Sequence, residues 1–215
     1  MNKTAGILVC ALLVGPAYSD EDSRWSIRPY VGLSQLGDVN GPSRGLGTVD
    51  GPVDVAVDSG FTAGVALGYD INERWAAEVA WEYRTNDSET TLADGTRFTD
   101  GNYASNLISL SGVYKLSPRG RWQPYLGLGV TVAQEIDIDL EQAGVETSLE
   151  GSGDVGYRAF AGVDWALADR WQLNGEVRYG STTGIQLDSE DVAGQVIDDL
   201  DYDPLTLAIG FRYRF

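Results

Sequence analysis

The chain has 215 residues, 32 of them acidic and 15 basic, which gives a formal net charge of −17 with no histidine at all. That balance repels nucleic acid, and it leaves no Ser-His-Asp or Cys-His arrangement for nucleophilic catalysis. The one cysteine, Cys10, falls in the leader described next, so no disulfide is expected in the mature chain.

Asn2-Lys3 is a short positive segment. Ala5 to Val14 is apolar but too short to span a bilayer as a helix, and Gly15-Pro16 breaks it. Ala17-Tyr18-Ser19 then places small residues where a signal peptidase reads them. This predicts export, cleavage after Ser19, and one mature domain over residues 20–215.

From Trp25 onward apolar residues recur with period two, and the chain parses into eight strands. The first, Trp25 to about Gln35, carries Trp25, Ile27, Pro29, Val31 and Leu33 on one face. The second alternates Phe61, Ala63, Val65, Leu67 and Tyr69 with small or polar residues, and the third does the same with Trp75, Ala77, Val79, Trp81 and Tyr83. The fourth, about Ala104 to Leu116, is the least regular: Ile108, Leu110 and Tyr114 face one way, while Leu107 and Val113 break the pattern. Leu126, Leu128, Val130 and Val132 mark the fifth strand, and Ile136, Ile138 and Leu140 keep alternating beyond it. Tyr157 to Trp165 and Trp171 to Tyr179 give the sixth and seventh. The eighth is the cleanest, with Leu205, Leu207, Ile209, Phe211, Tyr213 and Phe215 on one face.

The connections alternate in length. Short turns lie at residues 71–74, 117–121 and 167–170, and long ones near 36–59, 86–103, 136–154 and 182–203. Short turns on one side and long loops on the other predict an all-β fold, a transmembrane antiparallel up-and-down β-barrel with short periplasmic turns and long extracellular loops. Trp25, Trp75, Trp122, Trp165 and Trp171, with Tyr69, Tyr114 and Phe215, form the expected periplasmic aromatic girdle, and Phe61, Tyr83, Tyr157 and Tyr179 the outer one. Asp50-Gly51 and Asp94-Gly95 are hairpin-turn dipeptides, so the long loops are expected to be hairpins that project above the membrane.

Pro124-Tyr125-Leu126-Gly127-Leu128-Gly129-Val130 and the terminal Gly210-Phe211-Arg212-Tyr213-Arg214-Phe215 resemble the small eight-stranded outer-membrane proteins. That group includes the barrel of outer-membrane protein A and the outer-membrane protein W family. The resemblance covers residues 20–215 and implies residence in the outer membrane of a Gram-negative bacterium, amid lipid and lipopolysaccharide. It also implies that Phe211, Tyr213 and Phe215 are read by the barrel-assembly machinery. The barrel enzymes of that membrane, including its palmitoyltransferases, deacylases, phospholipases and omptin-type proteases, rely on a catalytic histidine. The resemblance is specific for architecture and weak for function, because the fold hosts adhesins, enzymes, channels and structural proteins.

The faces opposite the lipid carry Arg28, Arg84, Lys115, Arg158, Arg178, Arg212 and Arg214, together with Asp70, Glu78, Glu82, Glu135, Asp164 and Glu176. Eight strands leave an interior just wide enough for side chains, so these charges are expected to pair and plug the lumen. Most of the remaining acid is concentrated in the long loops, whose net charges are −3, −3, −6 and −7 in chain order. Asp137, Asp139 and Glu141 alternate on one strand face, and Asp198, Asp199, Asp201 and Asp203 cluster before the last strand. Oxygen-only clusters suit Ca²⁺ or Mg²⁺, although the spacing is not that of an EF-hand, and Asp137, Asp139, Glu141, Asp199, Asp201 and Asp203 are the candidate ligands. The expectation is a monomeric, non-catalytic barrel without cofactor, structural or surface-interacting. The alternative is a small channel or transport barrel for polar or hydrophobic solutes.

Overall fold

The structure, a computed structural model, describes residues 24–142, 145–151, 155–189 and 192–215, without the side chains of residues 100, 141, 142, 145 and 146. The expected leader lies outside the described residues. Twelve strands are present: β1 (Trp25–Gln35), β2 (Val39–Arg44), β3 (Gly51–Val57), β4 (Gly60–Asp70), β5 (Trp75–Thr91), β6 (Arg97–Lys115), β7 (Trp122–Gln142), β8 (Val145–Gly151), β9 (Val155–Ala166), β10 (Trp171–Ser189), β11 (Val196–Tyr202) and β12 (Leu205–Arg214).

Eight of them close a first ring. β1 pairs with β4 and β12, and the chain of antiparallel pairs β4–β5–β6–β7–β9–β10–β12 completes the circle. Closure leaves no open sheet edge, which a chain in hydrocarbon requires. Its outer face is apolar: Leu33, Leu128 and Leu207 are each about two-thirds exposed to what surrounds the ring. This ring is the membrane tier.

The base of the membrane tier repeats itself. Each outgoing strand opens with Arg-Trp: Arg24-Trp25, Arg74-Trp75, Arg121-Trp122 and Arg170-Trp171. The tryptophans stand directly opposite Tyr69, Tyr114, Trp165 and Tyr213 of the returning strands. Ring centroids in the four pairs lie 4.9, 4.9, 5.0 and 4.9 Å apart. The four arginine carbonyls accept the closing hydrogen bonds, from the backbone N–H of Asp70, Lys115, Ala166 and Arg214 at 2.8–2.9 Å. Amphipathic rings at this height suit the lipid–water boundary.

The long connections are not loops in the ordinary sense. They pair into a second ring above the first, in the order β2–β3–β5–β6–β7–β8–β10–β11 and back to β2. β5, β6, β7 and β10 run through both rings. Inside this outer tier is the main hydrophobic core: Val53, Val55, Tyr103, Ile136, Ile138, Leu140, Leu149, Ile185, Leu187, Ile197, Leu200 and Tyr202 are all nearly inaccessible. Asp94-Gly95 sits in the β5–β6 turn, with Gly95 at φ 85° where a left-handed turn needs it, whereas Asp50-Gly51 lies at the end of a longer turn that Gly45 opens.

The change of sidedness has a local cause. On β7, Leu126 to Val132 face lipid at even positions, which on a regular strand would send Ile136, Ile138 and Leu140 outward as well. Asn106 pairs with Glu135 and Leu107 with Ala133, so Gln134 is an extra, bulged residue that reverses the alternation. β10 does the same at Thr183-Gly184, two residues set against one on β11, with Gly184 at φ 72°. Further reversals fall at the breaks between β1 and β2 and between β3 and β4, and at the register shift within β11 between Ile197 and Leu200. β5 keeps one parity throughout, so it lines the outer tier with buried Asn86, Ser88 and Thr90, whereas β6 is inward at odd positions up to Gly101 and then shifts register against β5, which sets Phe98 against the core. On β6, Leu107 and Val113 are inward residues of a regular strand, not exceptions to its pattern.

Candidate functional site: a charged lumen under an acid-walled outer tier

In the membrane tier the inward positions of β1, β5, β9, β10 and β12 bring charges together. Glu78 accepts from Arg28 at 2.8 Å and Arg158 at 3.3 Å, and lies 3.8 Å from Arg212. Glu176 holds Arg178 at 2.5 Å and Arg28 at 3.1 Å. Glu82 pairs with both Arg84 and Arg178. Asp164 forms an ion pair with Arg212 at 3.1 Å. All these side chains are at least nearly nine-tenths buried, so each carboxylate needs its partners to offset desolvation.

Neutral groups join the network. Tyr30 donates to Glu82 at 2.8 Å, and Tyr125 donates to Glu176 at 2.7 Å. Asn174 accepts from Arg28 and donates to Asp164 and Tyr125 at 2.6–3.0 Å. Guanidinium groups also sit over rings, Arg158 over Phe160 at 4.7 Å and Arg178 over Tyr30 at 4.8 Å. Room for those rings comes from glycine: a Cβ at Gly162 would stand 2.4 Å from the end of Tyr125, and one at Gly64 2.5 Å from that of Tyr30. The lumen is filled in consequence. Its residual cavities measure about 10 Å³ near Asp70 and Arg212 and about 30 Å³ near Arg84 and Arg158.

The periplasmic mouth carries Lys115 with Asp70 at 2.6 Å, and Arg214 donating to Gln123 at 3.2 Å. Glu135 is a correction. Expected in the lumen, it is on the outer surface, accepting from Asn106 at 2.7 Å, because the Gln134 bulge turns it outward. Tyr30, Asn174 and Ser109 were missed, although each shares the inward parity of the charges beside it. In the C-terminal segment, Phe215 lies edge-on to Tyr213 at 5.4 Å, on the outer face shared with Phe211.

The acids of the outer tier face away from its core. Glu135, Asp137 and Glu150 bring carboxylate oxygens within 4.8 Å of one another, with Asp188 paired beside Glu150. Asp137 therefore groups across strands rather than along β7 with Asp139, and the Glu141 side chain lies outside the described residues. Asp198 pairs with Arg44, Asp199 takes φ 55°, and Asp199, Asp201 and Asp203 are exposed. At the β5–β6 tip, Asp94 accepts from the N–H of Thr48 at 2.8 Å and of Thr96 at 2.9 Å. Those backbone donors hold its carboxyl well below the usual carboxylate range.

The model of the outer membrane protein beta-barrel domain matches residues 5–215. The chain belongs to that family. Solved structures agree on the fold. OprG of Pseudomonas aeruginosa aligns at TM-score 0.63 and 18% identity over 90% of this chain and 97% of its own. Neisserial surface protein A aligns at 0.55 and 16%, over 90% and 98%. The outer membrane protease OmpT of Escherichia coli aligns at 0.51 and 9%, over 88% and 97%. No curated protein matches the sequence. The chain is thus an outer-membrane β-barrel protein of the Gram-negative type.

Proposed function

We propose that this barrel is a closed, non-catalytic membrane anchor that displays an acid-walled outer tier for contacts at the cell surface. The observation that carries the reading is the filled interior. Five arginines and four carboxylates interlock across the membrane tier, and the outer tier above them has an apolar core rather than a vestibule. A solute would have to separate buried ion pairs, which leaves charges unpaired at a cost of several kcal/mol. Purified protein in planar bilayers is therefore expected to show no discrete conductance, whereas steady ohmic steps would establish the transport alternative.

The partners that suit the outer wall are cationic: divalent ions that bridge Glu135, Asp137 and Glu150 to lipopolysaccharide phosphates, or basic peptides. The outer tier holds its shape through its apolar core, so such ligands would select it rather than fold it. Absence of histidine supports the non-catalytic part of the reading despite the fold shared with a protease.

A further inference from the structure

The inward charges of the membrane tier do not balance. Arg28, Arg84, Arg158, Arg178 and Arg212 face Glu78, Glu82, Asp164 and Glu176, five cations against four anions. The surplus can be located. Asp164 serves Arg212, and Glu78 and Glu176 divide themselves among Arg28, Arg158, Arg178 and Arg212. Only Glu82 is left for Arg84, and Glu82 is also taken by Arg178 and by the Tyr30 hydroxyl. Arg84 Nε and Nη1 and Arg158 Nε are buried with no hydrogen-bond partner, as are Arg28 Nε and Arg212 Nε, but only Arg84 lacks two such bonds.

Arg84 and Arg158 meet at one place. Arg84, Arg158 and Arg178 line the cavity of about 30 Å³ at the top of the membrane tier, with Glu82, Ser109 and Thr131. Ser109 Oγ accepts from Arg158 at 2.6 Å, which leaves its own O–H free to donate. Above the cavity begins the apolar core, with Leu107 and Tyr202 among its lowest members, so solvent does not screen the excess charge from that side.

We infer that this cavity binds a monovalent halide, chloride in the cell, as the missing counter-ion of the plug. Water would satisfy N–H directions but leave one guanidinium uncompensated in a low-dielectric site. The volume, enough for little more than one water-sized occupant, suits a monatomic anion and is too small for phosphate, sulfate or a carboxylate ligand. Entry is short, because Tyr157, Gly180 and Pro204 of the wall line the same cavity. The site is separate from the cationic partners of the outer wall and does not depend on them.

The test is diffraction from the full-length mature protein crystallised in sodium bromide, with data at the bromine absorption edge. The expected result is an anomalous peak among Arg84, Arg158 and Arg178. A cavity that holds only water overturns the inference. In solution, sodium bromide or chloride is expected to raise the unfolding temperature by several degrees over sodium methanesulfonate at equal ionic strength, with saturation. Arg84→Met equalises the charges and is expected to abolish that difference. If this variant does not fold, the wild-type anomalous map decides alone. Equal unfolding temperatures in halide and methanesulfonate also count against the site.

Discussion

Below the bilayer surface Glu82 and Arg178 point inward and Leu207 points out; above it Ile138 points inward and Asp139 points out. The same four long strands build both tiers, so secondary structure does not decide which side is greasy. The solvent does. Hydrocarbon outside the lower ring demands apolar exterior residues and tolerates charge only where it is paired in the lumen. Water outside the upper ring restores the ordinary arrangement, with apolar residues within and carboxylates without. Except on β5, which keeps one parity, the chain changes from one rule to the other within a residue or two, at bulges and strand breaks, since a pleated strand can exchange its faces only by adding or losing a residue.

The largest effect is expected from removing that switch. Deletion of Gln134 would carry the lower parity into the upper ring and turn Ile136, Ile138 and Leu140 toward water. The outer tier is expected to open while the membrane tier stays folded. Added protease should then cut residues 136–151 on intact cells, and heat-modifiable gel migration should persist. Protease resistance equal to wild type would show that the bulge does not set the sidedness.

Next comes the lower ring's interior. Glu78→Ala leaves Arg28, Arg158 and Arg212 short of a partner and is expected to cost roughly 3–5 kcal/mol. Urea unfolding of the detergent- or lipid-refolded protein measures it. A loss below about 1 kcal/mol would mean that the plug has slack.

A leucine pair sharpens the contrast further. Leu200→Ala removes a packed side chain from the outer tier and should cost about 2–5 kcal/mol. Leu207→Ala exposes a gap that lipid chains fill and should cost less than about 1.5 kcal/mol. Charge separates the positions differently: Leu207→Arg faces hydrocarbon, at roughly 2–4 kcal/mol if it lies near the midplane. Equal responses to alanine at 200 and 207 would mean that both face one environment.

The smallest effect concerns acid. The Asp94 carboxylate is stabilised in the folded state, so its contribution is fully present above its unfolded value and fades only as pH falls through the lower folded value. The Thr48 amide resonance should therefore be unchanged from pH 7 into the range where free aspartate titrates, and shift only in stronger acid. Titration near pH 4 would mean that the tip contact is not formed.

The membrane tier was legible in the sequence because every one of its strands is solvated by lipid on one side, which makes period two strict from Ala76 to Tyr83 and from Leu205 to Phe211. The outer tier was half legible. Its hairpins announced themselves, but Ile136, Ile138 and Leu140 carry no local mark of having changed sides. A bulge residue such as Gln134 has no composition of its own, and its effect appears only in the pairing with β6. Glu135 was misplaced for that reason alone. The lumen charges follow from parity, whereas their surplus at Arg84 follows from which carboxylate each can reach, and that is a property of the closed ring.

The Arg-Trp base has a consequence for how such a ring can grow. Each outgoing strand starts with the same two-residue word, and each arginine carbonyl ties down the strand that returns beside it. The unit that repeats around the circumference is therefore a whole hairpin, locked at its foot and open in length at its tip. A descendant could lengthen or shorten any tip without disturbing its neighbours' footing. It could change the circumference only by inserting or discarding a complete unit, two strands at a time, which keeps the strand number even and both chain ends on one side of the membrane.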